Sequence, residues 1–420
     1  MSCRCAVISI VLTVLGIIGC IALGIFLKFR MDHQPRNSIE ILHSDITKYE
    51  FTNSLEAFSG KLFKELSQAH GDKNIVYSPF SIETCLAMTR QGAENETAKE
   101  MDASFETEDK NLRSIADNYH TILEKYEKSS MLNVANKIYV QQNYKVHEEF
   151  NRTLSNEFFS SVENIDFSQN VAAASRMNKW VELKTENAIK DFVSSDNLNA
   201  DTRLMLLSAI HFKGEWATGF APEATTEEDF HTSDVNNTQK VQLMYKKDLC
   251  HYNTFYDLDA SALRLPYKNS DLSMLILLPN SINGLPAMLE KLANTTFDTI
   301  MKDMETQTYV NVYLPKFKVE FEVELKDVLS KMGMGKMFSS GDFGSMLETS
   351  EPMSVSNVMH KALIEVNEEG TKAAAASGLA FTARSGAEIP SPFFRADHPF
   401  YYAIIDEDNV RMFEGIFVNA

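Results

Sequence analysis

Residues Glu365–Ser391 read EVNEEGTKAAAASGLAFTARSGAEIPS, and the rest of the chain is best read outward from them. The stretch continues a β-rich strand, HKALIEV, and from Ala373 to Gly378 carries no side chain larger than serine. Gly370 and Gly378 loosen its ends, and an alanine run packs only weakly as helix or strand. One basic residue, Arg384, then stands alone between Lys372 and Arg395. Downstream, HPFYYAII is a continuous apolar run. A small-residue loop between two strong strands is either a disordered linker or a segment presented to a partner. The second reading is adopted, and the remainder of the chain tests it.

With 420 residues and 44% hydrophobic content the chain can bury a substantial core, in one large domain or two ordinary ones. The formal net charge of −18 argues against a nucleic-acid binder, which needs a basic face. Between Lys110 and Ser130, Lys125 and Lys128 are mixed with Glu124 and Glu127, which leaves no basic stripe for heparin activation. Cys3, Cys5 and Cys20 fall in or beside an N-terminal apolar segment, so only Cys85 and Cys250 remain for the globular part. No CxxC and no Cys/His ligand spacing occurs, so neither a metal site nor a disulfide scaffold is expected. Cys85 sits in an apolar helical run, where a buried structural thiol is expected.

Ala6 to Leu27 is 22 residues without a charge, flanked by Arg4 and by Lys28 and Arg30. That is long enough to cross a bilayer, yet Ala22-Leu23-Gly24 also offers a small-residue cleavage site. Residues 1–30 therefore read as a signal peptide or a signal-anchor, and both lead to the secretory route. The protein is expected to be secreted, or membrane-anchored through residues 6–27 with Cys3 and Cys5 open to palmitoylation. Translation from Met31 would give a cytosolic form. Sequons stand at Asn95, Asn151, Asn236 and Asn294, a number that chance composition also gives.

Residues 31–50 are polar without a clear period and read as a tether. From Asn53 the pattern turns helical: Asn53 with Glu56 resembles a capping box, and Leu55, Phe58, Leu62 and Leu66 recur at spacings of three and four. NIVYSPFSIETCLAMTRQGA gives a short strand, a Ser-Pro break and an apolar helix. A helix is expected over Asn111–Lys128, a strand from Asn133, and an amphipathic helix with Trp180 over Ala173–Phe192. Leu204, Leu206, Ser208, Ile210 and Phe212 alternate on one face of a strand. Shorter strands follow around Leu263, Met274–Leu278 and Tyr309–Phe317, with a helix near Pro286–Leu292. Phe400–Ile405 and Val410–Val418 form a hairpin whose arms are apolar enough to be covered on both faces. Residues 51–420 thus read as one α+β domain.

No GxSxG, HExxH, Walker or GxGxxG motif occurs, and the histidines show no ligand spacing. His360 on a strand suits a hydrogen-bonded structural group, and Glu368 with Glu369 lack the enclosed pocket that acid–base work requires. An enzyme is not the expectation.

Several ordered stretches carry a family likeness: NIVYSPFSI from Asn74, NKIYVQ from Asn136, AIHFKGEW from Ala209, LPYKNSDLSMLILLP from Leu265, LPKFKVEFEVEL from Leu314, VMHKALIEVNEEGTKAAAA from Val358 and FFRADHPF from Phe393. From about Phe51 to Ala420 the chain resembles a serpin, a serine protease inhibitor. The resemblance implies three β-sheets, about nine helices and an exposed reactive-centre loop over residues 368–392, in a monomer that needs no cofactor. The family's hinge falls on Glu368, Glu369, Gly370 and Thr371, followed by Ala373, Ala374, Ala375 and Ala376. The scissile bond implied, fourteen residues past Gly370, is Arg384–Ser385. The implied partner is a trypsin-like serine protease, trapped covalently as an acyl-enzyme; the alternatives are a non-inhibitory carrier, chaperone or storage serpin, and a cysteine-protease target.

The resemblance also gives the loop a physical logic. Inserted as a strand, it turns Thr371, Ala373, Ala375 and Ser377 inward and the single charge, Lys372, outward. About a dozen new backbone hydrogen bonds contribute on the order of 10 kcal/mol. Trp216 and Lys316 lie where the loop enters, with Lys316 paired to Glu368. Ser78, Ser81 and His360 match the family's central hydrogen-bond cluster. Serpins usually carry Asn where this chain has Ser208, and the shorter hydroxyl is expected to reach His360 through a water.

Overall fold

The computed structural model describes residues 38–107, 111–232, 237–349, 351–369 and 390–420, with side chains from Lys48 onward. Phe51–Ala420 forms one compact unit. Among the described residues there are nine α-helices: α1 Ser38–His70, α2 Pro79–Arg90, α3 Asn95–Phe105, α4 Leu112–Tyr126, α5 Glu148–Glu157, α6 Asn170–Lys184, α7 Leu285–Leu292, α8 Phe297–Asp303 and α9 Lys326–Lys331. The strands are β1 Ile75–Tyr77, β2 Leu132–Gln141, β3 Val162–Ile165, β4 Leu204–Phe212, β5 Thr226–His231, β6 Thr238–Phe255 and β7 Ala260–Pro266. They continue as β8 Ser273–Pro279, β9 Gln307–Pro315, β10 Phe317–Glu324, β11 Val355–Val366, β12 Phe393–Arg395, β13 Phe400–Ile405 and β14 Arg411–Phe417.

One sheet has five strands in the order β10-β11-β4-β2-β3. The other nine strands form a single network. Within that network the 18-residue β6 is shared: Leu243–His251 pairs with β9, whereas His251–Phe255 pairs with β7. Two of the three expected sheets are therefore fused along one strand, which no local pattern in the sequence discloses.

The central strands of the five-stranded sheet are buried on both sides, and β4 shows why. Leu204, Leu206, Ile210 and Phe212 face the main core, as the alternation predicts, while Met205, Leu207 and Ala209 face a second cluster under α6. Both faces are apolar because both are covered. The main core contains α2, all twelve of whose residues are buried. Ser78 caps it: its side chain accepts from the Ser81 N–H at 2.9 Å, and Pro79 occupies the first turn, where a missing N–H costs nothing. The C-terminal β13–β14 hairpin is buried along its whole length, as its apolar arms predict.

Two local readings are corrected. The stretch read as a tether is helical from Ser38, because Ile39, Leu42 and Ile46 keep helical spacing and no Gly or Pro interrupts them. Asn53 accordingly lies inside α1 instead of capping it, and the Glu56 Oε1 accepts from the Phe297 N–H at 2.7 Å. The helix expected over Ala173–Phe192 stops at Lys184, where Glu186 and Asn187 take left-handed φ values of 51° and 63°. The chain then crosses the sheet as an irregular strap, tied to β11 where Lys361 Nζ donates to the Lys190 carbonyl at 3.4 Å.

Both globular cysteines are buried. Burial pushes the Cys85 thiol up to about 12 and the Cys250 thiol up to about 11, so neither is a thiolate near neutral pH. Cys85 is the structural thiol its surroundings predict. No helix among the described residues is long and apolar enough to cross a membrane; residues 1–37, which include the run 6–27, lie outside them.

Candidate functional site

The seam between β4 and β11 organises the site. These strands run parallel and share nine residue pairs, from Val355↔Leu204 to Ile364↔Phe212, while each pairs antiparallel with its outer neighbour, β2 or β10. β11 leads through Asn367, Glu368 and Glu369 toward the loop quoted at the outset.

At the upper end of the seam Trp216 is 2% exposed and stacks on Tyr267 at 4.6 Å. Gly214 permits this approach, since a Cβ there would lie 2.5 Å from the Tyr267 ring. The Trp216 indole N–H donates to the Asn367 carbonyl at 2.9 Å, and the Phe220 N–H donates to the Glu368 carbonyl at 3.3 Å. The Glu368 carboxylate accepts from Thr225 Oγ1 at 2.8 Å and pairs with Lys316 Nζ at 2.7 Å. Burial alone raises its pKa, but the hydrogen bonds from Lys316, the backbone and Thr225 outweigh that and hold the carboxyl below its ordinary value. Trp216, Lys316 and Glu368 thus meet as expected. Thr225 and Phe220 had no sequence signal.

Midway down the seam a second cluster joins four elements. His360 of β11 lies directly opposite Ser208 of β4. The Ser78 N–H can only donate, so at 3.1 Å it makes His360 Nε2 the acceptor. Burial drives the His360 pKa down to about 3, so the ring is neutral and its proton sits on Nδ1. Nδ1–H then donates to Ser208 Oγ at 2.9 Å, Ser208 to Ser81 Oγ at 3.0 Å, and Ser81 to Asn136 Oδ1 at 2.9 Å. Asn136 Nδ2 returns to the Ser81 carbonyl at 3.1 Å. The expected water between Ser208 and His360 is not needed. The residues face each other across a parallel pair, so the short hydroxyl reaches the ring directly. Asn136, on β2, was missed, although a polar residue between Val134 and Ile138 on an inward strand face announces a buried partner.

Gly370, Thr371, Ala373, Ala374, Ala375, Ala376, Arg384 and Ser385 lie outside the described residues, as does the sequon at Asn236. Asn95 and Asn294 are exposed, and Asn151 is half-buried with its side-chain Oδ1 accepting from the Val162 N–H at 2.9 Å. Among the described residues no group of three His, Cys, Asp or Glu is placed to hold a metal.

A family model described as Serpin (serine protease inhibitor) matches residues 53–420. The chain belongs to the serpin family. Relatives include Antitrypsin of Bombyx mori, 38% identical over 87% of this chain and 93% of that one. Serine protease inhibitor 42Dd of Drosophila melanogaster is 36% identical over 85% and 94%, and Neuroserpin of Gallus gallus is 36% identical over 87% and 91%. Among solved structures, cleaved Serpin 42Da superposes with a TM-score of 0.79 at 42% identity, covering 88% of this chain and 98% of that one. Uncleaved ovalbumin superposes with a TM-score of 0.76 at 25% identity over 88% and 100%. The mixed α+β fold is the serpin fold, and serpins are mostly protease inhibitors, not enzymes.

Proposed function

We propose that the protein traps a trypsin-like serine protease as a covalent acyl-enzyme after cleavage at Arg384–Ser385. The observation that carries this reading is the parallel seam. A loop that leaves the end of β11 and folds back between β11 and β4 runs antiparallel to both. One parallel ladder of nine residue pairs is then replaced by two antiparallel ones. The net gain is about one ladder, about 5–13 kcal/mol at about 0.5–1.5 kcal/mol per bond. That gain is available to drag an attached protease and distort its active site before the ester is hydrolysed. Small residues at Thr371, Ala373, Ala375 and Ser377 enter without overpacking the core. Arg384 supplies the guanidinium that an acid-bottomed specificity pocket binds, and the Bombyx mori relative is named Antitrypsin. The intact hinge argues against a carrier or storage role. The N-terminal apolar run directs the protein to the secretory route, which mass analysis of the mature N-terminus checks.

The test is incubation with trypsin followed by boiling in SDS. A stable complex is expected, and Arg384→Ala abolishes it. Cleavage at Arg384–Ser385 without a complex would sink the inhibitor reading in favour of the carrier.

A further inference from the structure

Helix α2 carries a carboxyl group where a core helix should carry none. Glu83 is 1% exposed, and the rest of the helix is buried with it. The Tyr119 hydroxyl of α4 donates to its carboxyl, whereas Oε2 has no partner among the described residues. No cation answers it. Arg90, the only basic residue of α2, stands seven positions on, about 10 Å along the axis. Asp102 holds that guanidinium at 2.5 and 2.9 Å, and Cys85 faces the Leu207 carbonyl. Of the charged residues of α4, Arg113, Asp117, Glu124 and Lys125 are exposed and His120 stacks on Phe159, while Tyr126 donates to Asp271. α2 also packs on β2, β4 and β14. Lys137, Tyr139 and His211 alternate with Ala135 and Ala209 on the opposite face of the sheet, toward the second cluster. On β14, Arg411 pairs with Glu414 at 2.9 Å. Tyr119 itself is enclosed by the rings of Phe51, Phe80 and Phe158, at 5.0, 6.2 and 5.9 Å. A carboxylate here would keep one hydrogen bond and no counter-charge, which is far costlier than the neutral acid. Burial accordingly holds the carboxyl well above its ordinary range, and Tyr119 only partly offsets it.

We propose that Glu83 is a proton-dependent strain point: α2 is packed around the neutral acid, and loss of its proton as pH rises loosens the helix and, with it, the β4–β11 seam. The coupling runs through the first turn of α2. Ser78 caps that turn and donates its N–H to His360, and Ser81, two residues before Glu83, bonds to Ser208 and Asn136. A shift of α2 therefore pulls on both strands of the seam and on β2. In an unfolded chain a glutamate loses its proton near about 4.3. The folded chain keeps it to higher pH, so above that value the folded state binds more protons than the unfolded one. The stability that Glu83 leaves intact is full below about 4.3 and falls as pH rises. His360, buried as a neutral base, acts with the opposite sign, so the two groups bracket the pH range in which the seam stays shut. Neither effect depends on what the loop at Arg384 does.

The parent chain is compared with Glu83→Gln, which keeps the shape and the bond from Tyr119 but has no proton to lose. The infrared difference spectrum at neutral pH is expected to show the carbonyl stretch of one protonated carboxyl in the parent alone. Tyr119→Phe shifts that band, which assigns it to Glu83 even where the glutamine variant fails to fold. Urea titration gives the second readout. The ratio of unfolding constants, parent over Glu83→Gln, rises about tenfold for each pH unit between about 5 and 7, as release of one proton requires. Amide hydrogen exchange across Leu204–Phe212 and Val355–Ile364 follows with the same sign, its parent-to-variant ratio growing at least about threefold over that range. Absence of the protonated-carboxyl band, or ratios that stay constant with pH, would each overturn the proposal.

Discussion

Acid should loosen this serpin through His360. In an unfolded chain an imidazole takes up its proton below about 6.5, whereas the buried ring does so only near 3. Between those values the unfolded state binds more protons, so stability is full above about 6.5 and is lost as pH falls. Integrating the difference gives about 2 kcal/mol lost by pH 5 and about 3 kcal/mol by pH 4. The cause is geometric as well as dielectric. Nε2 already accepts from the Ser78 N–H at 3.1 Å, and an added proton there would confront that donor. The measurement is the urea midpoint of the first unfolding transition between pH 7.5 and 5, for the parent chain and for His360→Asn. The difference matters, because other groups titrate in both. The variant starts less stable, by about 1–3 kcal/mol for each hydrogen-bonding group left unpaired, and its pH dependence is shallower by about 2 kcal/mol. Equal slopes, or imidazole nitrogen signals of His360 that titrate near their ordinary value, would refute the argument.

Further outcomes test the rest of the seam. If the loop inserts as proposed, Thr371→Arg would put a charge on the inward face of the new strand and turn an inhibitor into a substrate, read as cleaved chain without complex on SDS gels. Trp216→Phe keeps the stack on Tyr267 but strips the Asn367 carbonyl of its donor, about 1–2 kcal/mol; inhibitory activity should decay several-fold faster at raised temperature, and an unchanged half-life would show that the bond does not hold the seam. Lys316→Met costs no more than about 1 kcal/mol in thermal stability, because the lysine is 39% exposed and its pair with Glu368 is screened. The same change lets the Glu368 carboxyl rise toward its ordinary value. Stability tied to that carboxylate is present above the ordinary carboxylate range and lost as pH falls below it, so the acid limb of the curve becomes shallower.

Much of this was legible from local pattern. The Ser78-Pro79 break, the apolar α2, the alternation along β4 and the double-faced hairpin follow from periodicity and turn chemistry, which act within a few residues. The stretch Glu365–Ser391 drew its reading for a different reason. Small side chains in a row and an isolated arginine are unusual enough to demand an explanation. What escaped depends on distant segments meeting. Asn136 joins a cluster whose other members lie 55 and 72 residues away or more. Thr225 reaches Glu368 across 143 positions, and nothing in the residues around it announces that bond. The fusion of two sheets along β6 escaped because no strand was read over Thr238–Phe255, and the partners of a long strand are set by distant segments. The Ser208 expectation failed on a distance, which side-chain length alone does not supply.

The magnitudes also assign a role to the central cluster. His360 and Ser208 touch across the pair that would part on the proposed insertion, so an entering strand would break their bond and disturb the relay to Ser81 and Asn136. Losing one or two such bonds costs about 1–3 kcal/mol. The ladder gained by insertion is several times larger, so the cluster cannot decide which state is finally favoured. Its cost falls instead at the moment of parting, before the first new strand bonds have formed. It therefore acts on the rate of opening, and a metastable inhibitor depends on that rate for its lifetime. On the proposed mechanism the buried histidine is a latch: it would delay insertion until cleavage at the proposed bond, Arg384–Ser385, frees the loop to enter.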